Sequence, residues 1–402
     1  MDTKTPRPIF ILALGYHPNP AGGSFRYVRA LAEGLVTLGH AVHVFAPLPR
    51  GLPATPGFQA DIRDGVIIHW FPQGRGWRGK AWMLENKSAW KRMGNLLQKL
   101  QPQQPVLLGT HAFLQPAFDK FTGPRLALFT APWAEEYQWE SRGVDGLKDR
   151  AIAMVMRWVE SRWLRGARKI FTVSGYDQAR LKRSHSESLP EVVNIGGGVD
   201  LSHFCPLVDR DSPRRERGFP DPCFLWICVR RLEPGLGLEY LIEEIGRVAP
   251  QFPNARWCLL GSGSLAGELR KQISRLGLAS QVALKGFIPE KELNGWYNAA
   301  DGSLLTSLDS EGFGLVAAES LAAGTPLLGP DTGALPEILG RLEPLLLFPA
   351  AREGALAAKM AEAMSGAAWW PSRSGCAEFA AARFNWSDPV AALSKAVREI
   401  EV

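Results

Sequence analysis

Short, uninterrupted apolar runs alternate along this chain with longer stretches in which apolar residues recur every three or four positions. The first run covers residues 8–14. A Gly/Pro/Asn-rich loop over 15–24 follows, then Val28, Leu31, Leu35 and Leu38 at helical spacing. Gly39 stands where that helix ends, and residues 41–45 read as the next buried strand. The plan recurs at 106–108, 126–130 and 169–173, the last preceded by a helical stretch over 149–164. A second series has strands at 224–229, 257–260, 282–284 and 302–305, and a short one at 326–328. Strands that are apolar at every position are buried on both faces, so their alternation with amphipathic helices predicts parallel sheets covered on both sides. The predicted class is α/β: a doubly wound, Rossmann-like domain over 1–203, a second over 204–382, and a terminal helix over 383–402. Residues 209–215, charged and close to Pro and Gly, read as linker. Open sheets of this kind bind ligands beyond the carboxyl ends of their strands, and two facing each other enclose an interdomain cleft.

The 402 residues, 46% hydrophobic and 21% charged, are enough for two sizeable cores. No run approaches the roughly 18–20 apolar residues of a spanning helix, and residues 1–10 lack the apolar stretch of a secretion signal. A cytoplasmic protein, or one peripheral on the inner face of a membrane, is expected. Five cysteines at irregular spacings, with no C-x-x-C, read as reduced and mostly buried thiols. Charge is uneven: residues 1–200 hold 26 Lys+Arg against 16 Asp+Glu, and the remainder 20 against 24. The basic first half points to an anionic partner. Nucleic acid is not expected, since no helix-turn-helix, zinc-finger or RNA-binding signature accompanies the charge. Two basic amphipathic stretches stand out. One, over 80–100, carries Lys87, Lys91, Arg92 and Lys99 with Trp82, Trp90 and Met93; the other carries Arg157, Arg162, Arg165, Arg168 and Lys169 with Trp158 and Trp163. Each either lies on anionic lipid or packs by one face with its charges in water.

The segment richest in chemistry is 307–326. Residues 302–305 lead into a loop, Gly312 and Gly314 permit a tight backbone, and a helix runs to Gly324. The amides of Phe313, Gly314, Leu315 and Val316 then lie at a helix N-terminus, where backbone donors and the helix dipole hold phosphate. Glu311 precedes that helix and Glu319 lies eight residues on, about 12 Å along the axis at 1.5 Å per residue. That is the span of a sugar-diphosphate-ribose, although a glutamate at a helix start also stabilises the dipole by itself. Asp209-Arg210-Asp211 has the spacing of a metal-binding D-x-D but falls in the charged stretch away from any strand end, so no metal is expected there.

Two glutamates eight apart around Gly312-Phe313-Gly314 resemble the hallmark of the retaining GT-B glycosyltransferases grouped as glycosyl transferases group 1 (family 4), and the resemblance extends over nearly the whole chain. It implies that Glu311 contacts the donor sugar and Glu319 the ribose, with the 313–316 amides on phosphate. The family arginine maps to Arg231, in Arg231-Leu232-Glu233-Pro234-Gly235-Leu236-Gly237. Leu236 stands where the family has lysine, with Arg230 as the candidate substitute. Electrostatic neutralisation of the leaving diphosphate is a large share of such catalysis. Gly261-Ser262-Gly263 is similar to the family's Gly-x-Gly loop near the nucleotide, and Gly286-Phe287-Ile288-Pro289 to its base-binding segment, with Ile288 backbone on the base edge. Gly22 and Gly23 match the Gly-Gly loop after the first strand, and His111 the histidine near the scissile bond; His40 and His43 read as structural. Residues 131–136 resemble an acceptor-side Pro-Trp-x-x-Glu stretch.

The resulting expectation is metal-independent, retaining transfer from a nucleotide-diphosphate sugar to an acceptor hydroxyl, with no cofactor. A lipid-linked saccharide, in cell-surface polysaccharide or glycolipid synthesis, is the first acceptor class and a soluble small molecule or natural-product scaffold the second. Leu236 keeps open a third reading, a nucleotide-sugar-binding partner subunit with little turnover.

Overall fold

The structure is a computed structural model that describes residues 7–16, 23–48, 59–71, 87–100, 104–135, 147–185, 189–219, 222–307, 311–350 and 352–400. The chain divides into two compact units, one of Met1–Gly197 with Trp386–Val402 and one of Gly198–Asn385. The divisions fall at 197/198 and 385/386, against 203/204 and 382/383 from the sequence pattern.

The first unit is built on an eight-stranded sheet ordered β3-β4-β2-β1-β5-β6-β7-β8. Its strands are β1 (Ile9–Leu12), β2 (Val42–Pro47), β3 (Gln59–Arg63), β4 (Val66–Phe71), β5 (Val106–Gly109), β6 (Arg125–Phe129), β7 (Lys169–Thr172) and β8 (Glu191–Asn194). All pairings are parallel except β3 with β4, a hairpin on the edge. β1 and β5 are buried at every position, which is why they read as unbroken apolar runs. The helices are α1 (Gly23–Thr37), α2 (Lys87–Leu100), α3 (Gln115–Phe118), α4 (Leu147–Arg165) and α5 (Gly175–Ser184). α1 buries Tyr27, Val28, Leu31, Ala32 and Leu35, one face at helical spacing.

The second unit has six parallel strands ordered β11-β10-β9-β12-β13-β14. They are β9 (Leu225–Val229), β10 (Arg256–Leu260), β11 (Val282–Gly286), β12 (Gly302–Leu304), β13 (Leu327–Pro330) and β14 (Leu347–Phe348). The helices are α6 (Asp211–Glu216), α7 (Leu238–Val248), α8 (Ala266–Arg275), α9 (Glu290–Ala299), α10 (Leu315–Ala322), α11 (Leu335–Leu342), α12 (Ala355–Met364) and α13 (Arg373–Arg383). Trp226 and Trp257 are fully buried in its core. The last helix, α14 (Ser387–Glu399), clusters with the first unit and packs on α1. Gly34 lacks the Cβ that would fall 2.4 Å from Val390, and the His40 ring shares a 2.7 Å hydrogen bond with the Ser394 hydroxyl.

The charged stretch read as linker is a docked helix instead. Arg214 of α6 is buried, donating to Asp301 (2.9 Å) and to the Ala299 (2.8 Å) and Cys223 (2.6 Å) carbonyls. Asp209 accepts from the Asp211 and Ser212 amides, so the D-x-D spacing is a helix cap. A charged run looks solvated until its carboxylate partner, here 87 residues away, is placed.

Each sheet has one point where strand order reverses, β1/β5 in the first unit and β9/β12 in the second. Loops leaving neighbouring strands there diverge, and the crevice beyond their carboxyl ends is where such sheets take ligands.

Candidate active site

In the second unit the two loops at the reversal point carry the residues singled out from sequence. β9 ends at Val229, so Arg230 and Arg231 are the first residues beyond it. Adjacent side chains at a strand end point opposite ways, and the two arginines separate accordingly. Arg230 turns in, its side chain 12% exposed, and its Nη1 lies 3.2 Å from Glu311 Oε2. Its buried Nε donates to no acceptor among the described residues. Arg231 is exposed and forms no hydrogen bond or ion pair among the described residues. Leu236, at the family lysine position, is buried at 4% exposure, and its carbonyl accepts from the Thr306 hydroxyl at 3.1 Å. That bond ties the loop after β9 to the loop after β12.

Glu311 lies on the second loop. Its Oε2 accepts from both Arg230 and the Ser307 hydroxyl (2.9 Å), and its carbonyl accepts the Ala334 amide at 2.9 Å. Gly314 caps α10 in the left-handed region, φ 78° and ψ 50°, which an L side chain resists. This turn moves the helix start relative to the sequence expectation. α10 begins at Leu315, and Ala318 is the amide that bonds back to Gly314 (3.0 Å). The amides that precede the first helical bond are therefore those of Gly314, Leu315, Val316 and Ala317, one residue on from the expected 313–316 and sharing three of its four members. Phe313 packs its ring edge-on against Phe384 at 5.9 Å. Glu319 is buried at 3% exposure, and its Oε2 accepts from the Tyr297 hydroxyl at 3.1 Å.

Gly261, at the end of β10, locks the arginine loop from the other side. A Cβ there would lie 1.8 Å from the Arg230 carbonyl oxygen, and the Ser262 carbonyl accepts the Leu232 amide at 3.0 Å. The Gly261 amide donates to Gly286 at 2.7 Å, which brings the Gly286-Phe287-Ile288 segment alongside. Ile288 is half-buried against the core and Phe287 is 64% exposed.

In the first unit, Thr110 follows β5, and its amide and hydroxyl both donate to the Leu12 carbonyl (3.1 and 2.9 Å). His111 comes next, at the β1/β5 reversal point. Its Nδ1 accepts the Phe113 amide at 3.1 Å, so in the neutral ring the proton sits on Nε2. Gly23 opens α1 at an exposed position, and Gly22 lies outside the described residues. Of the two lysine- and arginine-rich stretches, 80–86 lies outside them as well.

Sequence reasoning missed the groups that hold these residues. Trp133 packs edge-on against both His111 (5.7 Å) and Phe113 (5.6 Å). Its amide donates to Glu160 (2.9 Å), whose other oxygen takes His185 Nε2 at 3.0 Å. Glu135 pairs with Arg180 at 2.6 Å. The Pro-Trp-x-x-Glu stretch forms an anchored turn beside His111, and its partners lie 27 to 45 residues on. Tyr297 and Ser307 carried no local signal at all.

Residues 209–383 match the model for glycosyl transferases group 1, and residues 22–194 match that for a glycosyl transferase 4-like domain. A glycogen synthase of Mycobacterium tuberculosis is 27% identical over 342 residues, covering 82% of this chain and 79% of that protein. A D-inositol 3-phosphate glycosyltransferase of Thermomonospora curvata is 31% identical over 184 residues, 42% of each chain. Among solved structures, a sucrose-phosphate synthase from Thermosynechococcus elongatus superposes with a TM-score of 0.78 at 21% identity, covering 98% of this chain and 99% of that one. WaaG, a glycosyltransferase involved in lipopolysaccharide biosynthesis, does so at 0.75 and 15% identity, over 98% and 99%. With both halves matched and both sheets doubly wound, the chain belongs to the group 1, family 4 glycosyltransferases of the GT-B fold.

Proposed function

We propose that this glycosyltransferase takes a nucleotide-diphosphate sugar and transfers the sugar, with retention and without a metal ion, to an acceptor hydroxyl. The observation that carries this reading is the exposed Arg231 beside the Arg230–Glu311 pair and the open first turn of α10. Two guanidinium groups and four helix-start amides offer a diphosphate the neutralisation a metal would otherwise supply. The sugar lies at Glu311, the ribose at Glu319, whose carboxylate Tyr297 orients, and the base at the Ile288 backbone. Glu311 Oε2 already accepts two hydrogen bonds, which suits a carboxylate that positions sugar hydroxyls rather than one that attacks carbon. The bond from the anomeric carbon to the leaving phosphate oxygen breaks as the acceptor oxygen bonds on the same face, and the leaving phosphate takes the acceptor proton. His111, whose neutral ring carries its proton on Nε2, is assigned by the family resemblance to stabilising the transition state rather than to attack on carbon.

Hydrolysis-corrected nucleotide release over a panel of nucleotide sugars tests the reading. Arg231→Ala should lower turnover about 100-fold or more, the scale of removing one transition-state donor. Turnover within a few-fold of the parent would remove the assignment. Buried Leu236 favours a second reading, a donor-binding subunit without turnover. Its mark would be thermal stabilisation by nucleotide diphosphate, about 2.7 kcal/mol at 100 times the dissociation constant, with no release for any donor.

The acceptor class we favour is a lipid-linked saccharide, because the unit carrying His111 is the basic one.

A further inference from the structure

The face of α4 that points to water is unlike the outer face of an ordinary covering helix. At about 100° per residue, positions 157, 150, 161, 154, 165, 158, 151, 162 and 155 fall in order across one arc of about 160°. Three of its large apolar side chains lie open to solvent: Met154 at 67%, Val155 at 55% and Trp158 at 58%. Arg150, Arg157, Arg162 and Arg165 surround them, all exposed, and the helix presents no exposed carboxylate on this arc. Arg162 pairs with Asp119 at 3.2 Å, and its guanidinium also lies 6.0 Å from the Trp158 ring. The opposite arc is core: Ala153, Met156, Glu160, Trp163 and Leu164 are buried there. The two tryptophans that look alike in sequence thus divide, Trp163 inward and Trp158 outward.

We propose that this face of α4 seats the protein on an anionic lipid bilayer. An apolar centre ringed by arginine matches a bilayer surface, where Trp and Met enter the headgroup boundary and guanidinium groups meet phosphate. Pairing two copies through this face would bring four arginines against four, so the charge argues against a second copy of this chain as occupant. The helix lies flat, its 19 residues giving about 28 Å of contact at 1.5 Å per residue. Its buried side holds Glu160, which fixes the Trp133 turn under His111. Lipid on the outer face therefore lies about one helix diameter, roughly 10 Å, from the elements that support the acceptor-side histidine. The seat itself does not depend on the proposed acceptor, because lipid binding is read without turnover.

Flotation with vesicles of phosphatidylcholine alone, or with about a third phosphatidylglycerol, decides it. The protein should float with the anionic vesicles at low salt and be released at high salt. Arg150→Glu with Arg157→Glu should weaken partitioning about 30-fold or more, at about fivefold per arginine. Met154→Ser with Trp158→Ala should weaken it without changing net charge. Lys395→Glu with Arg398→Glu on α14 changes net charge equally and should have a much smaller effect. No retention of the parent protein on anionic vesicles would overturn the proposal. So would α4 variants that float as the parent does while the α14 pair does not, or a dimer in light scattering that Trp158→Ala dissolves. Every substituted α4 residue is exposed, so unchanged circular dichroism is expected and excludes misfolding as the cause.

Discussion

The Arg230–Glu311 pair makes a prediction that separates the two adjacent arginines. At 3.2 Å the gross attraction is about 5 kcal/mol for an effective dielectric of about 20, most of it offset by desolvation of groups that are 12% and 19% exposed. A net coupling of about 1–2 kcal/mol remains. Arg230→Met leaves Glu311 with only the Ser307 hydroxyl among these partners, and Glu311→Gln strands a half-buried guanidinium whose Nε already has no acceptor among the described residues. Each single variant should lose about 1–3 kcal/mol, and the double variant about 1–2 kcal/mol less than their sum. Urea denaturation of the four proteins measures this, provided the slopes with denaturant agree. Arg231→Ala should leave the midpoint unchanged, since its side chain is exposed and unpaired among the described residues, and should instead abolish most of the thermal shift given by a nucleotide diphosphate. Additivity within about 0.5 kcal/mol would refute the coupling. A destabilised Arg231→Ala beside a neutral Arg230→Met would invert the division of labour.

Two further perturbations test the framework. Gly261→Ala places a Cβ 1.8 Å from the Arg230 carbonyl, which cannot retreat because the Arg230 and Leu232 amides are bonded to Leu260 (2.9 Å) and Ser262 (3.0 Å). A loss of about 3 kcal/mol in urea denaturation, with weaker nucleotide-diphosphate binding, is expected, whereas parent-like stability would mean the loops are not interlocked. His69 Nε2 and His43 Nδ1 lie 2.9 Å apart, and burial together with the neighbouring His43 lowers His69 from 6.5 to about 4, burial also lowering His43. The unfolded chain takes up protons near 6.5 that the folded pair refuses. Stability is therefore full above that value and falls as pH drops from about 6.5 to 4, by about 1–2 kcal/mol after discounting for partial exposure. His69→Gln should flatten that part of the stability–pH curve relative to the parent, and an unchanged slope would exclude the pair as its source.

What could be read from the sequence was what depends on neighbours in the chain. Unbroken apolar runs at 8–14 and 224–229 gave up their strands because both faces of a central strand are buried. The β3–β4 hairpin passed unread although Asp64-Gly65 marks its turn. Asp61 and Arg63, paired with each other on the edge strand, and His69 break the expected apolar run, since an edge strand and a histidine pair follow other rules. α6 was hidden for the opposite reason, a charge-rich segment whose Arg214 is neutralised by a remote carboxylate.

The glutamate pair shows where the boundary lies. Spacing placed Glu311 before a helix and Glu319 within it, and a Gly-Phe-Gly turn said why the helix starts there. It could not say that Arg230, 81 residues upstream, would engage Glu311, nor that Tyr297 would engage Glu319. Counting along the motif assigned the catalytic cation to Arg231 and left Arg230 as a substitute for the missing lysine. In three dimensions the alternation of side chains at the end of β9 makes them different instruments, one clamped on a carboxylate and one open to solvent. Leu236 follows from the same geometry: its side chain is turned into the core, where an ammonium group would be stranded, and in the proposed reading it is the strand end that offers the second cation.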